Sequence, residues 1–371
     1  MPQTKSKPRP TRLLKAVLGG LLPLVLGGAL GAYLGHTLKD APAPASLWVL
    51  ALLPLLIFAA IAWHELGHVA GGWISGFRLY LYTAGPLRIE REGKRLRWRF
   101  NRDLRLWGGV ASTIPAPEAL PSPEQLRRGM FRMTAGGPLF SLLGTLLLVP
   151  GFALRATSAD LAFTLLIAGA TSGALAVATL LPFRTGGFLT DGARLLQFLR
   201  GAEGDNWCAI AMLASLSVSV RPREWPAALL ERIAAIPANT PDGVTALWLR
   251  HSYHADREDW AEARATLDAA LASLCHWPPP ARGILHLAAA FFFATHAEDA
   301  AAAREHFDLA RKPGLLPRNE LHLIEAAVLQ AEGRHDEARL AAARAEASLA
   351  SKPPGAAAPA REYLEALRQS A

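Results

Sequence analysis

Four stretches of the chain are apolar for long enough to cross a bilayer, which takes about 20 helical residues. They run roughly over 14–36, 47–73, 131–153 and 159–182. The pattern between the second and third is different. Leu79-Tyr80-Leu81-Tyr82, Leu87-Arg88-Ile89-Glu90-Arg91 and Arg95-Leu96-Arg97-Trp98-Arg99-Phe100 alternate apolar and polar positions, with Gly85-Pro86 and Glu92-Gly93-Lys94 between them. Period-2 alternation broken by turn residues predicts a small antiparallel sheet of about three strands within 77–110. Its Trp and Arg side chains suit a lipid interface. Residues 114–123 carry four prolines and read as a linker.

After Gly201 the long apolar runs stop, and Ala, Glu and Arg rise. Glu258-Asp259-Trp260-Ala261-Glu262-Ala263-Arg264, Glu298-Asp299-Ala300-Ala301-Ala302-Ala303-Arg304 and Gly333-Arg334-His335-Asp336-Glu337-Ala338-Arg339 repeat one helix-opening pattern, each after another apolar-periodic helix. The third resembles the turn of a tetratricopeptide repeat, without the full signature of that repeat. The expectation is an array of about three helical hairpins. The fold class read from these patterns is an α-helical membrane protein: a basic N-terminus over 1–13, a membrane-embedded domain over 14–200 with its β insertion, and a soluble all-α repeat domain over 201–371.

Charge adds a topology. Lys5, Lys7, Arg9, Arg12 and Lys15 precede the first apolar run, which is longer than the 7–15 residues or so of a signal-peptide core and reads as a retained helix. Residues 76–128 hold eleven Lys or Arg against five acids, whereas 37–46 and 154–158 are nearly uncharged. Positive charge marks the cytoplasmic side, so both termini are expected there. The net charge of +8 is concentrated in these loops, so it reads as a topology signal and no nucleic-acid partner is expected. Arg127-Arg128 reads as a topology anchor. Cys208 and Cys275 have no CxxC spacing and fit a reducing compartment.

The second span contains His64-Glu65-Leu66-Gly67-His68. Residues four apart share a helix face, so His64 and His68 can offer two imidazole nitrogens to one ion, with Glu65 within reach of a water on it. This is the H-E-x-x-H logic of zinc hydrolases. Charged groups in an apolar span are costly unless they meet protein, water or metal. A catalytic zinc needs a third protein ligand. The best candidate is Asp191 in Thr190-Asp191-Gly192, after the fourth span and among Gly186, Gly187 and Gly192. Asp-Gly alone is a turn signal; beside an intramembrane H-E-x-x-H the ligand reading is favoured. The remaining histidines from His251 to His335 show no ligand spacing on one face and read as surface or satisfied core residues.

Three features resemble the site-2 protease family (peptidase family M50): Ala62-Trp63-His64-Glu65-Leu66-Gly67-His68-Val69-Ala70 in a membrane helix, Ala135-Gly136-Gly137-Pro138-Leu139-Phe140-Ser141 as the Gly-Pro segment opening the next one, and Leu181-Pro182 followed by Asp191-Gly192. The resemblance covers about residues 47–200. It implies one catalytic Zn2+ held by His64, His68 and Asp191, with Glu65 as general base. It implies intramembrane hydrolysis of a membrane-tethered protein by a multi-pass protein of the bacterial inner (plasma) membrane. Two family Asn positions hold Ser141 and Thr179 here, and Phe183 to Thr190 lengthen the Pro-to-Asp segment. The alternative function is a non-catalytic membrane scaffold whose C-terminal helices recruit a protein partner.

Overall fold

The computed structural model describes residues 51–92, 95–116, 121–185, 188–217, 220–311, 321–349 and 354–369. The basic N-terminus and the first expected span, 14–36, lie outside the described residues. The chain divides into two units, Met1–His64 with Pro138–Leu180, and Glu65–Gly137 with Leu181–Ala371. Two helices run across the division. They are α1 (Leu53–Ile74) and α2 (Pro123–Thr145).

Among the described residues three helical segments are long and apolar enough to cross a membrane: Leu53–Ile74, Pro123–Leu154 and Ala159–Leu180. The middle segment begins eight residues before the expected 131–153 and ends within one residue of it. It begins at Pro123 because Ser122 and Gln125 form a reciprocal cap: Gln125 N–H donates to Ser122 Oγ at 3.3 Å and Ser122 N–H to Gln125 Oε1 at 2.9 Å. Its first turns are polar, so hydropathy alone misses them. The Gly-Pro segment therefore lies inside this helix rather than at its opening. Tightened bonds from Leu146 N to Leu143 O and from Leu147 N to Gly144 O then break it, and α3 (Leu148–Leu154) follows.

In the first unit, α3 packs against α4 (Ala159–Leu180) through Leu148, Phe152, Phe163 and the buried Leu166. Trp63 of α1 packs at a tilt against Phe140 of α2, 4.8 Å between ring centroids, and its indole N–H donates to the Phe140 carbonyl at 2.6 Å.

In the second unit the insertion is a four-stranded antiparallel sheet: β1 (Phe77–Ala84), β2 (Leu87–Glu92), β3 (Arg95–Phe100) and β4 (Val110–Pro115), in the order β3-β2-β1-β4. The first three match the alternating stretches. The fourth runs past the expected 77–110 and its end overlaps the stretch read as a linker, 114–123, because Val110–Pro115 lacks clear alternation and ends in proline. Proline is tolerated there because β4 is an edge strand whose single neighbour is β1. Asn101 pins the sheet's end, donating from its side chain to Gly85 O at 3.0 Å and accepting from the Trp107 indole at its carbonyl.

The rest of the unit is helical. A short hairpin, β5 (Arg184–Thr185) and β6 (Phe188–Leu189), leads into α5 (Asp191–Leu199), α6 (Ala202–Leu216) and α7 (Ala227–Ala234). Three helical hairpins follow: α8 (Pro241–Asp256) with α9 (Trp260–Ala272), α10 (Arg282–Thr295) with α11 (Ala300–Ala310), and α12 (Leu321–Ala331) with α13 (His335–Leu349). A last helix, α14 (Pro354–Gln369), covers the end. Each hairpin turns at the start of one of the three repeated stretches. The turn residues Glu258, Glu298 and Gly333 all take positive φ, at 65°, 52° and 75°. Each stands six positions before the matching arginine, so the internal repeat is a repeat of backbone geometry. Arg304 grips Glu332 with two bonds of 2.6 and 2.7 Å, fastening the second hairpin to the turn of the third.

Candidate metal centre

His64, Glu65 and His68 lie within about one turn of α1 and are buried or nearly so, at 4%, 6% and 9% exposure. One ligand atom from each lies within 4.8 Å of the others. That convergence follows from the i, i+4 spacing. The orientation of the rings does not, and it comes from α2. In the first unit His64 Nδ1 and Ser141 Oγ are hydrogen-bonded at 2.9 Å. In the second, His68 Nδ1 donates to the Met133 carbonyl at 2.8 Å.

An imidazole whose Nδ1 is engaged by protein offers its Nε2 to a metal, and such outer partners fix tautomer and ring plane in known metal sites. Two imidazoles so held, with a carboxylate between them in sequence, form a nitrogen and oxygen donor set that could hold a metal ion.

The Met133 contact depends on close approach of α1 and α2. A Cβ on Gly136 would stand 2.1 Å from Gly67 O, and one on Gly71 would stand 2.3 Å from Arg132 O. Small residues at these crossings let helix backbones touch.

Glu65 is positioned from the sheet. It accepts a hydrogen bond from the Ala111 backbone N–H at the start of β4. Gly109, just before β4, has φ of 94°, and a Cβ there would lie 2.4 Å from Glu65 Oε1. Only glycine permits both the left-handed turn and the approach. On β1, Tyr82 is buried, and its phenol is pushed up to about 12, first by burial and then by the nearby Glu65 charge.

Asp191 is the first residue of α5, and its Oδ1 lies 3.4 Å from His68 Nε2. It is not one of the three residues whose ligand atoms all converge within 4.8 Å. Thr190 sets its position. The Thr190 hydroxyl donates to Leu181 O at 2.6 Å and accepts from Phe183 N–H at 3.1 Å and Ala193 N–H at 3.3 Å. The extra residues between Pro182 and Asp191 thus fold back as the β5-β6 hairpin, with Thr190 N–H closing on Phe183 O at 3.0 Å.

Of the two family Asn positions, Ser141 holds a histidine ring, whereas Thr179 donates weakly to Ala176 O, within its own helix, at 3.4 Å. Met133, Gly109, Ala111 and Tyr82 were not among the sequence candidates. The first and third act through backbone groups that carry no residue signature, and a Gly-Gly before a strand is only a turn signal. Comparison with protein-family models, curated proteins and solved structures finds no match to this chain.

Proposed function

We propose that the chain is a zinc metalloendopeptidase, similar to the site-2 proteases, that hydrolyses peptide bonds of membrane-tethered proteins within the bilayer. The observation that carries this reading is the buried His64-Glu65-His68 group on a helix apolar enough to span a membrane. Asp191 at 3.4 Å from His68 Nε2 supports it. His64 and His68 would hold the ion through Nε2, and Asp191 through its carboxylate. A zinc ion there supplies a Lewis acid and lowers the pKa of a water to about 7.

Glu65 is the general base in this reading. Its carboxylate takes a proton from the attacking water and hands it to the leaving amine. The Ala111 N–H fixes its orientation, and its burial keeps the proton from bulk solvent. Ser141 and Met133 hold the two imidazoles against rotation. The substrate segment must be extended at the cut, since helical hydrogen bonding shields the scissile carbonyl. The distribution of Lys and Arg supports an orientation with the helical hairpins on the cytoplasmic side, where they would bind a partner or the substrate's soluble part.

The test is Glu65→Gln in the full chain, co-expressed with single-span membrane proteins. The variant is expected to keep one zinc per chain and to lose cleavage. Retained cleavage would overturn the general-base role. Protein without zinc, unchanged by His64→Ala, would overturn the metal site.

A further inference from the structure

Where the first turns of α2 meet the end of α5, a cleft of about 430 Å³ opens beside three arginines. Arg127 is one of the lining residues. One Nη donates to Asp205 at 2.8 Å and the other to the Phe198 carbonyl at 2.6 Å, so Arg127 is locked and the carbonyl end of α5 is covered. Arg128 and Arg132 line the same cleft one helical turn apart. Like charges at that spacing repel unless an anion lies between them. Arg128 has an exposed pair with Glu124, whose side chains are 67% and 74% exposed, and such pairs are weak. Arg132 is exposed and has no ion pair or side-chain hydrogen bond among the described residues. Three guanidinium groups thus line the cleft with one carboxylate, Glu124, and with Arg127 taken up by Asp205 the uncompensated charge is that of Arg132.

The rim is apolar. Phe131, 42% exposed, and Leu199, 77% exposed, flank the arginines, and Phe131 sits edge-on to the buried Phe198 ring at 6.1 Å. The same helix then runs on as the candidate span Pro123–Leu154. Guanidinium groups beside exposed apolar side chains, at the polar end of a membrane helix, match a phosphodiester joined to a glyceride. The phosphate would lie between Arg128 and Arg132, where paired N–H donors favour it. The glycerol and upper acyl chain would cover Phe131 and Leu199.

We propose that this cleft binds the headgroup of an anionic glycerophospholipid, in the manner of basic pockets beside membrane helices. A zwitterionic headgroup would bring an ammonium charge against the two arginines, and inorganic phosphate would leave the rim uncovered. The site is independent of the reading of the metal centre.

The experiment is native mass spectrometry of the full-length protein in detergent, titrated separately with phosphatidylglycerol, phosphatidylcholine and inorganic phosphate. Phosphatidylglycerol is expected to bind at least about tenfold more tightly than phosphatidylcholine, and Arg128→Gln/Arg132→Gln to lose about tenfold of that affinity. Both arginines are exposed, so the variant should keep its helix content, checked by circular dichroism. The single Arg132→Gln variant, which breaks no pair, provides a second reading in the same direction. Phe131→Ser should weaken phosphatidylglycerol binding too. Equal binding of the two lipids, or unchanged binding in the arginine variants, overturns the proposal. So does displacement of phosphatidylglycerol by inorganic phosphate, which would assign the cleft to free phosphate.

Discussion

His68 Nε2 stands 3.4 Å from Asp191 Oδ1, while the other nitrogen of the same ring is held by the Met133 carbonyl at 2.8 Å. One imidazole thus joins α1, α2 and the start of α5. If Asp191 is the third ligand, Asp191→Ala should lower zinc affinity at least tenfold, in the range that changes around metal sites produce. A chelator competition on purified protein measures this. The helix should survive, because Thr190 rather than Asp191 provides the N-cap. Unchanged affinity would remove Asp191 from the ligand set.

The contact between Gly136 and Gly67 has a consequence for the same ring. A side chain at 136 meets backbone at 2.1 Å and cannot be relieved by a rotamer change. Gly136→Val should therefore separate α1 from α2 at the crossing and cost roughly 1–3 kcal/mol, the usual range for overpacking. It should also draw the Met133 carbonyl away from His68 and lower zinc retention. Thermal unfolding in detergent and metal analysis test the two effects separately. A stable variant with full zinc would show that the helices need not touch there.

How much of this was legible in the chain depends on distance along it. The His64–His68 spacing is local to one helix turn, and it reads directly as a shared face. The alternation in 79–100 likewise specifies β1 to β3, and the repeated turns at Glu258, Glu298 and Gly333 specify three hairpins. What could not be read is what α2 and β4 bring from afar. Ser141 reaches His64 from 77 positions away, and Met133 serves through its carbonyl, which every residue possesses. β4 becomes a strand through pairing with β1, since its own sequence has little alternation. The Ser122-Gln125 pair has the spacing of a helix start, but the polar first turns of α2 hide it from a hydropathy pattern.

The hairpins should respond to acid. His251 is buried between α8, α9 and α10, with Nδ1 donating to Ala263 O at 2.9 Å and the Phe292 ring edge-on at 5.7 Å. Its pKa is lowered, first by burial and then by the neighbouring His254 and His296. Burial also lowers His296 and His306. A histidine with a lowered folded-state pKa contributes stability that is complete above its unfolded value of about 6.5 and lost as pH falls toward the folded one. The unfolding midpoint of the full chain should therefore drop between roughly pH 7.5 and 5.5, where these histidines begin to take up protons on unfolding. His251→Gln should make that slope shallower. An equal slope in the variant would assign the acid sensitivity elsewhere.

The three hairpin turns allow a sharper test, because the chain has solved one geometric problem in two ways. Gly333 takes φ of 75° without a Cβ, while Glu258 and Glu298 adopt 65° and 52° with one. Left-handed backbone costs an L-residue about 1–2 kcal/mol, and glycine gives back part of that gain through its freer unfolded chain, roughly 0.5–1 kcal/mol. Both glutamates are exposed, so their side chains add little packing to offset the strain. Glu258→Gly and Glu298→Gly should each stabilise the hairpins by roughly 0.5–1 kcal/mol, and Gly333→Ala should destabilise by about as much. Chemical denaturation followed by circular dichroism reads all three. Opposite signs for the glutamate variants and for Gly333→Ala would show that the repeat is governed by turn conformation. Destabilisation by Glu258→Gly would mean instead that its carboxylate, which favours protonation of the neighbouring His296, contributes more than the turn costs.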